Sequence, residues 1–133
     1  MNPEQRHPLF AYGTLRFPQV LTGLLGRHPA ATPVSAPGWR AAELPGRVYP
    51  GLVPDADATT SGILLTDLTA DEWRVLDAFE DAEYVLRTVP VTPGDRLASA
   101  YVWTAEYSET TWRAEEFAAT RLAAFLRRQV ESD

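Results

Sequence analysis

Gly62-Ile-Leu-Leu-Thr-Asp-Leu-Thr-Ala-Asp-Glu-Trp-Arg-Val-Leu-Asp-Ala-Phe-Glu80 changes its periodicity halfway along. Gly62 to Leu68 is an apolar run of strand length. Thr69-Ala-Asp-Glu72 is a capping box: the Thr69 hydroxyl can accept from the Glu72 N–H while the Glu72 carboxylate reaches back. A helix to about Phe79 or Glu80 is expected to follow. At about 100° per residue, Trp73, Val75, Leu76 and Phe79 share one arc. A strand that feeds a capped amphipathic helix sets the pattern for the whole chain.

The same reading extends to both sides. Residues 7 to 12 read as a strand. Pro18 to Leu25 reads as a short helix, with Pro18 at its first position and Gly26 at its stop. Residues 30 to 60 are rich in Pro and Gly and are expected to form short strands and turns, with Asp55 to Thr60 a polar turn. Residues 84 to 91 and 98 to 104 read as strands joined by Pro93-Gly94-Asp95. Trp112 to Val130 reads as mostly helix, with Phe117, Ala118, Leu122, Phe125 and Leu126 as its apolar stripe. Strands, an internal helix, a hairpin and a terminal helix together predict an α+β fold built on a small curled sheet or barrel. The 133 residues are expected to form one domain, 1–133.

Composition narrows the chemistry. The chain has no cysteine and no lysine; all 12 basic residues are arginine. Thiol nucleophiles, thiolate metal sites, Schiff-base lysines and P-loop lysines are excluded. Only His7 and His28 are present, so a His-based triad or two-His metal site is not expected, and neither a metal nor a cofactor is assigned. A net charge of −6 without a basic block disfavours nucleic-acid and anionic-membrane partners. No apolar run spans a bilayer and no secretory leader is evident, so the cytoplasm is the expected compartment. An acid–base group, if the chain carries one, is a carboxylate, with a tyrosine as its helper.

Glu80 is the carboxylate out of place. On an extended helix it projects within about 20° of Trp73, inside the apolar arc, whereas Asp77 and Asp81 point away. Burial and the electronegative helix end would both raise its pKa toward that of a base working near neutrality. Two readings stand open: a poised proton-transfer group, or a helix that stops short of Glu80 and leaves it paired with Arg87 or another arginine. Tyr12-Gly13-Thr14-Leu15 is the second feature. The apolar Leu9-Phe10-Ala11 breaks there, and successive N–H groups at such a break can hold an anion. Alone, that tetrapeptide also reads as a structural turn, and Tyr84 as a core aromatic.

Taken together, Phe10-Ala-Tyr-Gly-Thr-Leu15, Leu76-Asp-Ala-Phe-Glu80, Glu83-Tyr84 and Arg87 resemble the γ-glutamylcyclotransferase-like family, in its avirulence-induced-gene-like branch. Gly46-Arg-Val-Tyr-Pro50, Ser61-Gly-Ile-Leu64 and Ala100-Tyr-Val-Trp103 add to the likeness, which covers roughly residues 8 to 126. The resemblance implies a small mixed β-barrel flanked by helices. It implies a ligand pocket beside Tyr12, Gly13, Thr14 and Leu15, Glu80 as the catalytic acid–base and Tyr84 as a pocket tyrosine. The implied reaction needs no cofactor: a small γ-glutamyl amide closes to 5-oxoproline and releases an amine. One departure stands out, since Asp81 occupies a position where the family usually has Gly. The competing expectation is a non-catalytic binding or regulatory module with the same pocket. The amine half of the substrate and the oligomeric state are not legible in the sequence.

Overall fold

In a computed structural model describing residues 6–132, β1 (Leu9–Ala11) lies in the middle of a mixed five-stranded sheet. Its alternation sends Phe10 to one face and Leu9 and Ala11 to the other, and all three are buried. A 3₁₀ turn (Thr14–Arg16) leads into α1 (Pro18–Leu25), which stops at Gly26 with φ +76°. That left-handed C-cap costs glycine nothing.

The region expected to be broken into short pieces is instead one long hairpin. β2 (Ala31–Glu43) and β3 (Pro50–Leu65) pair antiparallel from Ala31–Leu65 to Glu43–Pro50. Asp55 to Thr60 is not a strand break. The ladder advances from Pro37 to Trp39 on β2 while stepping from Thr59 to Pro54 on β3, so the surplus polar residues are taken up as a bulge. The prolines suggested breaks, but Pro33 and Pro37 lie on β2, an edge strand, where a missing N–H is tolerated.

β3 ends at Leu65, and α2 (Ala70–Phe79) follows with both halves of the Thr69–Glu72 capping box formed. β4 (Tyr84–Val91) and β5 (Arg96–Trp103) form the second hairpin. The strand order is β2-β3-β1-β5-β4, with β5 parallel to β1 and also meeting β3 at Leu52–Val102. The sheet curls until β2 and the end of β4 meet at a single bridge, Ser35–Thr92. It is not a closed barrel, so "barrel" describes the curl and not a continuous ladder.

Inside the curl lie Phe10, Val34, Leu52, Leu64, Val89 and Val102. On the outer face Leu9, Leu15, Leu21, Trp73, Leu76 and Tyr101 pack between sheet and helices. Two details differ from the periodicity. Val75 is 40% exposed, because the buried stripe of α2 narrows to Trp73 and Leu76. The terminal helix is broken at Arg121 into α3 (Ala114–Thr120) and α4 (Leu122–Ser132). Phe117 is buried on α3 while Ala118 is exposed; Leu122, Phe125 and Leu126 are half-buried against the outer core. No helix among the described residues is long and apolar enough to cross a membrane.

Candidate active site

Tyr12, Gly13, Thr14, Leu15, Glu80 and Tyr84 all line one cavity of ≈ 150 Å³. Pockets for drug-sized ligands occupy about 300–1,000 Å³, so this one suits a small molecule. Each side of it is built by a different element. The turn after β1 supplies the first four residues, the end of α2 supplies Glu80, and the start of β4 supplies Tyr84.

The turn is shaped by Gly13. A Cβ there would lie 2.9 Å from Pro50 Cγ, so only glycine lets the turn press against the start of β3. The chain then folds into the 3₁₀ turn, with Arg16 N–H donating to the Gly13 carbonyl at 3.1 Å and Phe17 N–H to the Thr14 carbonyl at 3.3 Å. Among the described residues, the N–H groups of Gly13, Thr14 and Leu15 meet no acceptor. These are the donors an anionic group would need.

The Tyr12 side chain is engaged elsewhere. Its hydroxyl donates to the Tyr101 carbonyl at 2.6 Å and accepts from the Leu52 N–H at 3.0 Å, tying β1 to β5 and β3. What Tyr12 can offer a ligand is therefore ring surface and backbone. Tyr84 is also committed as a donor, with its hydroxyl on the Pro50 carbonyl at 2.5 Å. The resemblance implies a pocket tyrosine at Tyr84; with its proton on Pro50, its oxygen is left to accept. Burial pushes both phenols well above the usual tyrosine range.

Glu80 is the C-cap of α2, where the backbone has turned extended (φ −79°, ψ 144°) and its N–H donates to the Leu76 carbonyl at 3.2 Å. The helix does stop before it, but among the described residues the alternative pairing with Arg87 or another arginine is not made. Among the described residues Glu80 has no ion-pair or hydrogen-bond partner for its carboxylate, and Arg87 is exposed on β4. Desolvation, then the Asp81 carboxylate, then that of Asp77, push Glu80 up to about 8. The helix end also turns carbonyls toward it.

Asp77 and Asp81 are not simply solvated. Asp77 accepts from the Tyr101 hydroxyl at 2.7 Å and pairs with Arg6 at 2.9 Å. Asp81 reaches the cavity wall and accepts from the Tyr49 hydroxyl. Burial, then that contact, push the Tyr49 phenol up to about 12. Arg47 lies 3.7 Å from Asp81, 2.9 Å from Glu83 and 4.9 Å above the Trp103 ring. Sequence reasoning gave Tyr49, Pro50 and Asp81 no role on this wall. The signal was present in Gly46-Arg-Val-Tyr-Pro50, but nothing local to that stretch says it folds over Glu80. Among the described residues no group of three or more His, Asp or Glu could hold a metal ion.

Comparison with known proteins supplies the family. The family model described as gamma-glutamyl cyclotransferase, AIG2-like, matches residues 9–118. AIG2-like protein C of Arabidopsis thaliana is 39% identical over 101 residues, which is 73% of this chain and 59% of that protein. AIG2-like protein D of the same plant is 33% identical over 129 residues, 91% of this chain and 85% of that protein. The chain thus spans less than two thirds of the first relative and most of the second. A solution structure of an Arabidopsis thaliana protein superimposes with a TM-score of 0.71 at 30% identity, covering 93% of this chain and 88% of that one. A human crystal structure shares the fold at a TM-score of 0.62 and 11% identity, covering 94% and 86%. With a matching profile across both halves of the cavity wall, this chain belongs to the AIG2-like gamma-glutamyl cyclotransferase family.

Proposed function

We propose that the protein is a γ-glutamylcyclotransferase that converts a small γ-glutamyl amide to 5-oxoproline and a free amine, with Glu80 as general acid and base. The observation that carries the reading is a largely desolvated carboxylate, unpaired among the described residues, on a small cavity that also adjoins backbone N–H groups with no acceptor among those residues.

The proton bookkeeping explains why one such group suffices. The substrate's α-nitrogen begins as an ammonium and ends as a lactam N–H, losing two protons. The leaving nitrogen begins as an amide N–H and ends as an ammonium, gaining two. Glu80 takes the first proton, freeing the amine to attack the γ-carbonyl carbon and form the new C–N bond. Glu80 passes that proton to the departing nitrogen, takes the second from the ring nitrogen of the tetrahedral adduct, and gives it to the departing amine as the old C–N bond breaks. A carboxylate titrating near 8 exchanges protons in either direction at modest cost.

The N–H groups of Gly13, Thr14 and Leu15 would hold the α-carboxylate, keeping amine and γ-carbonyl in a folded-back conformer. Such orientation is worth about 7 kcal/mol or more in favourable intramolecular cases. Tyr84 would accept from a substrate N–H or from protonated Glu80, as its own proton lies on Pro50. The test is 5-oxoproline release from γ-glutamyl dipeptides and γ-glutamylamines by wild type and Glu80→Gln. Loss of turnover in the variant, with its fold intact, is expected. Near-full turnover in the variant overturns the assignment of Glu80. Ligand-induced thermal shifts with no product from wild type across the panel replace the enzyme with a binding module.

A further inference from the structure

The turn that forms one wall of the Glu80 cavity also borders a second, larger one of ≈ 370 Å³. Tyr12 lines both, Gly13 to Leu15 line only the first, and Arg16 only the second. Arg16 is joined there by Arg40 from β2 and by Arg113 at the start of α3, against a single carboxylate, Glu115. Three guanidiniums around one cavity are conspicuous in a chain of net charge −6.

Their bonding is incomplete. Arg40 Nε pairs with Asp55 at 3.2 Å and Nη2 donates to the Ser108 carbonyl at 3.2 Å, but Nη1 is buried and has no acceptor among the described residues. A buried donor without a partner bears its desolvation cost uncompensated. Arg16 makes only a long contact, 3.4 Å, to the Ser61 carbonyl. The Arg113 guanidinium has no hydrogen bond or ion pair among the described residues. Arg40 is fixed by Asp55 and Ser108 and so holds its charge at the cavity, while Arg16 and Arg113 are free to close on a guest.

We propose that this second cavity binds a small molecule through its oxyanion, a carboxylate or a phosphate. Arg16 and Arg113 would supply the paired N–H groups that suit either oxyanion, with the Arg40 charge held beside them. Glu115 would accept from a hydroxyl or ammonium on the same guest and disfavour a second anionic group on its side. The site is separate from Glu80 and stands whether or not the Glu80 cavity turns over γ-glutamyl amides.

The test is an amide NMR titration of the full chain with lactate and, separately, with inorganic phosphate, at constant ionic strength in chloride. Saturable shifts at Arg16, Ser61 and Arg113 are expected with at least one of them, and the tighter arm identifies the oxyanion. Arg113→Gln and Arg16→Gln, checked for fold by circular dichroism, should each weaken binding about tenfold or more, as expected for a lost charged hydrogen bond. Glu80→Gln should bind as wild type does. Non-saturating shifts with both anions overturn the proposal, as do shifts confined to Gly13, Thr14, Glu80 and Asp81, or equal affinity in the arginine variants.

Discussion

Gly13 and Pro50 are in contact that leaves no room for a methyl group: a Cβ on Gly13 would sit 2.9 Å from Pro50 Cγ and 3.0 Å from Pro50 Cδ. Pro50 is also where the Tyr84 hydroxyl is anchored, through its carbonyl. The turn and the pocket tyrosine are thus held by one residue of β3. Gly13→Ala must push Pro50 or the turn aside. It is expected to cost about 1–3 kcal/mol in a denaturant melt, the range for overpacking a tight site. It should also lower 5-oxoproline formation by more than that loss of folded protein accounts for. A Gly13→Ala protein with wild-type midpoint and turnover would mean the turn has slack that the contact denies.

Tyr12 makes a different prediction. Its hydroxyl satisfies the Tyr101 carbonyl and the Leu52 N–H, both buried. Tyr12→Phe leaves both without a partner, at a cost of about 2–4 kcal/mol taken over the two groups. Chemical denaturation should show this loss, while the variant that remains folded keeps the KM of wild type. A large change in KM with unchanged stability would place the hydroxyl in substrate binding instead.

Much of this was legible in the sequence because it is local. The Thr69–Glu72 box, the Pro18 start, the Gly26 stop and the Pro93–Asp95 turn depend on residues within a few positions of one another, and each forms as read. The long β2–β3 hairpin was not legible. Its prolines lie on an edge and its polar stretch in a bulge, and both read as breaks until the partner strand is known. The cavity shows the same division. Glu80 betrayed itself by disagreeing with its apolar helix face. Tyr49 and Asp81 did not, since their meeting joins residues 32 apart in sequence and leaves no periodic trace.

Glu80 should make stability depend on pH in a direction opposite to that of a salt-bridged acid. Its pKa is raised from 4.5 to about 8 by desolvation, then by Asp81 and Asp77. Below 4.5 the group is protonated folded or unfolded and carries no penalty. Between 4.5 and about 8 the folded state holds a proton that the unfolded state has released, so its contribution to stability falls as pH rises. Above 8 the full cost of a buried charge is present, roughly 2–5 kcal/mol for an interval of this size. Glu80→Gln is therefore expected to match wild type near pH 4.5, to gain on it through pH 8, and to hold a constant advantage above. Melts across this range check the point. A constant difference at every pH would remove the titration of Glu80 from the account.

Activity should follow the same group with its sign reversed, because the base must be ionised to accept the first proton. On the proposed mechanism kcat/KM climbs with pH until Glu80 is ionised, near 8. Asp81 is the first electrostatic contributor to that position after desolvation, and Asp77 the second. Asp81→Asn keeps an acceptor for Tyr49 while deleting the charge, so the rising limb should move to lower pH. Asp77→Asn should move it the same way by less. Desolvation remains in both variants, so neither limb should return to that of a free glutamate. The pH profiles of kcat/KM for wild type and the two variants, each with its fold verified, give the comparison. Superimposable limbs would show that the rate does not report Glu80, whatever Glu80→Gln does to turnover.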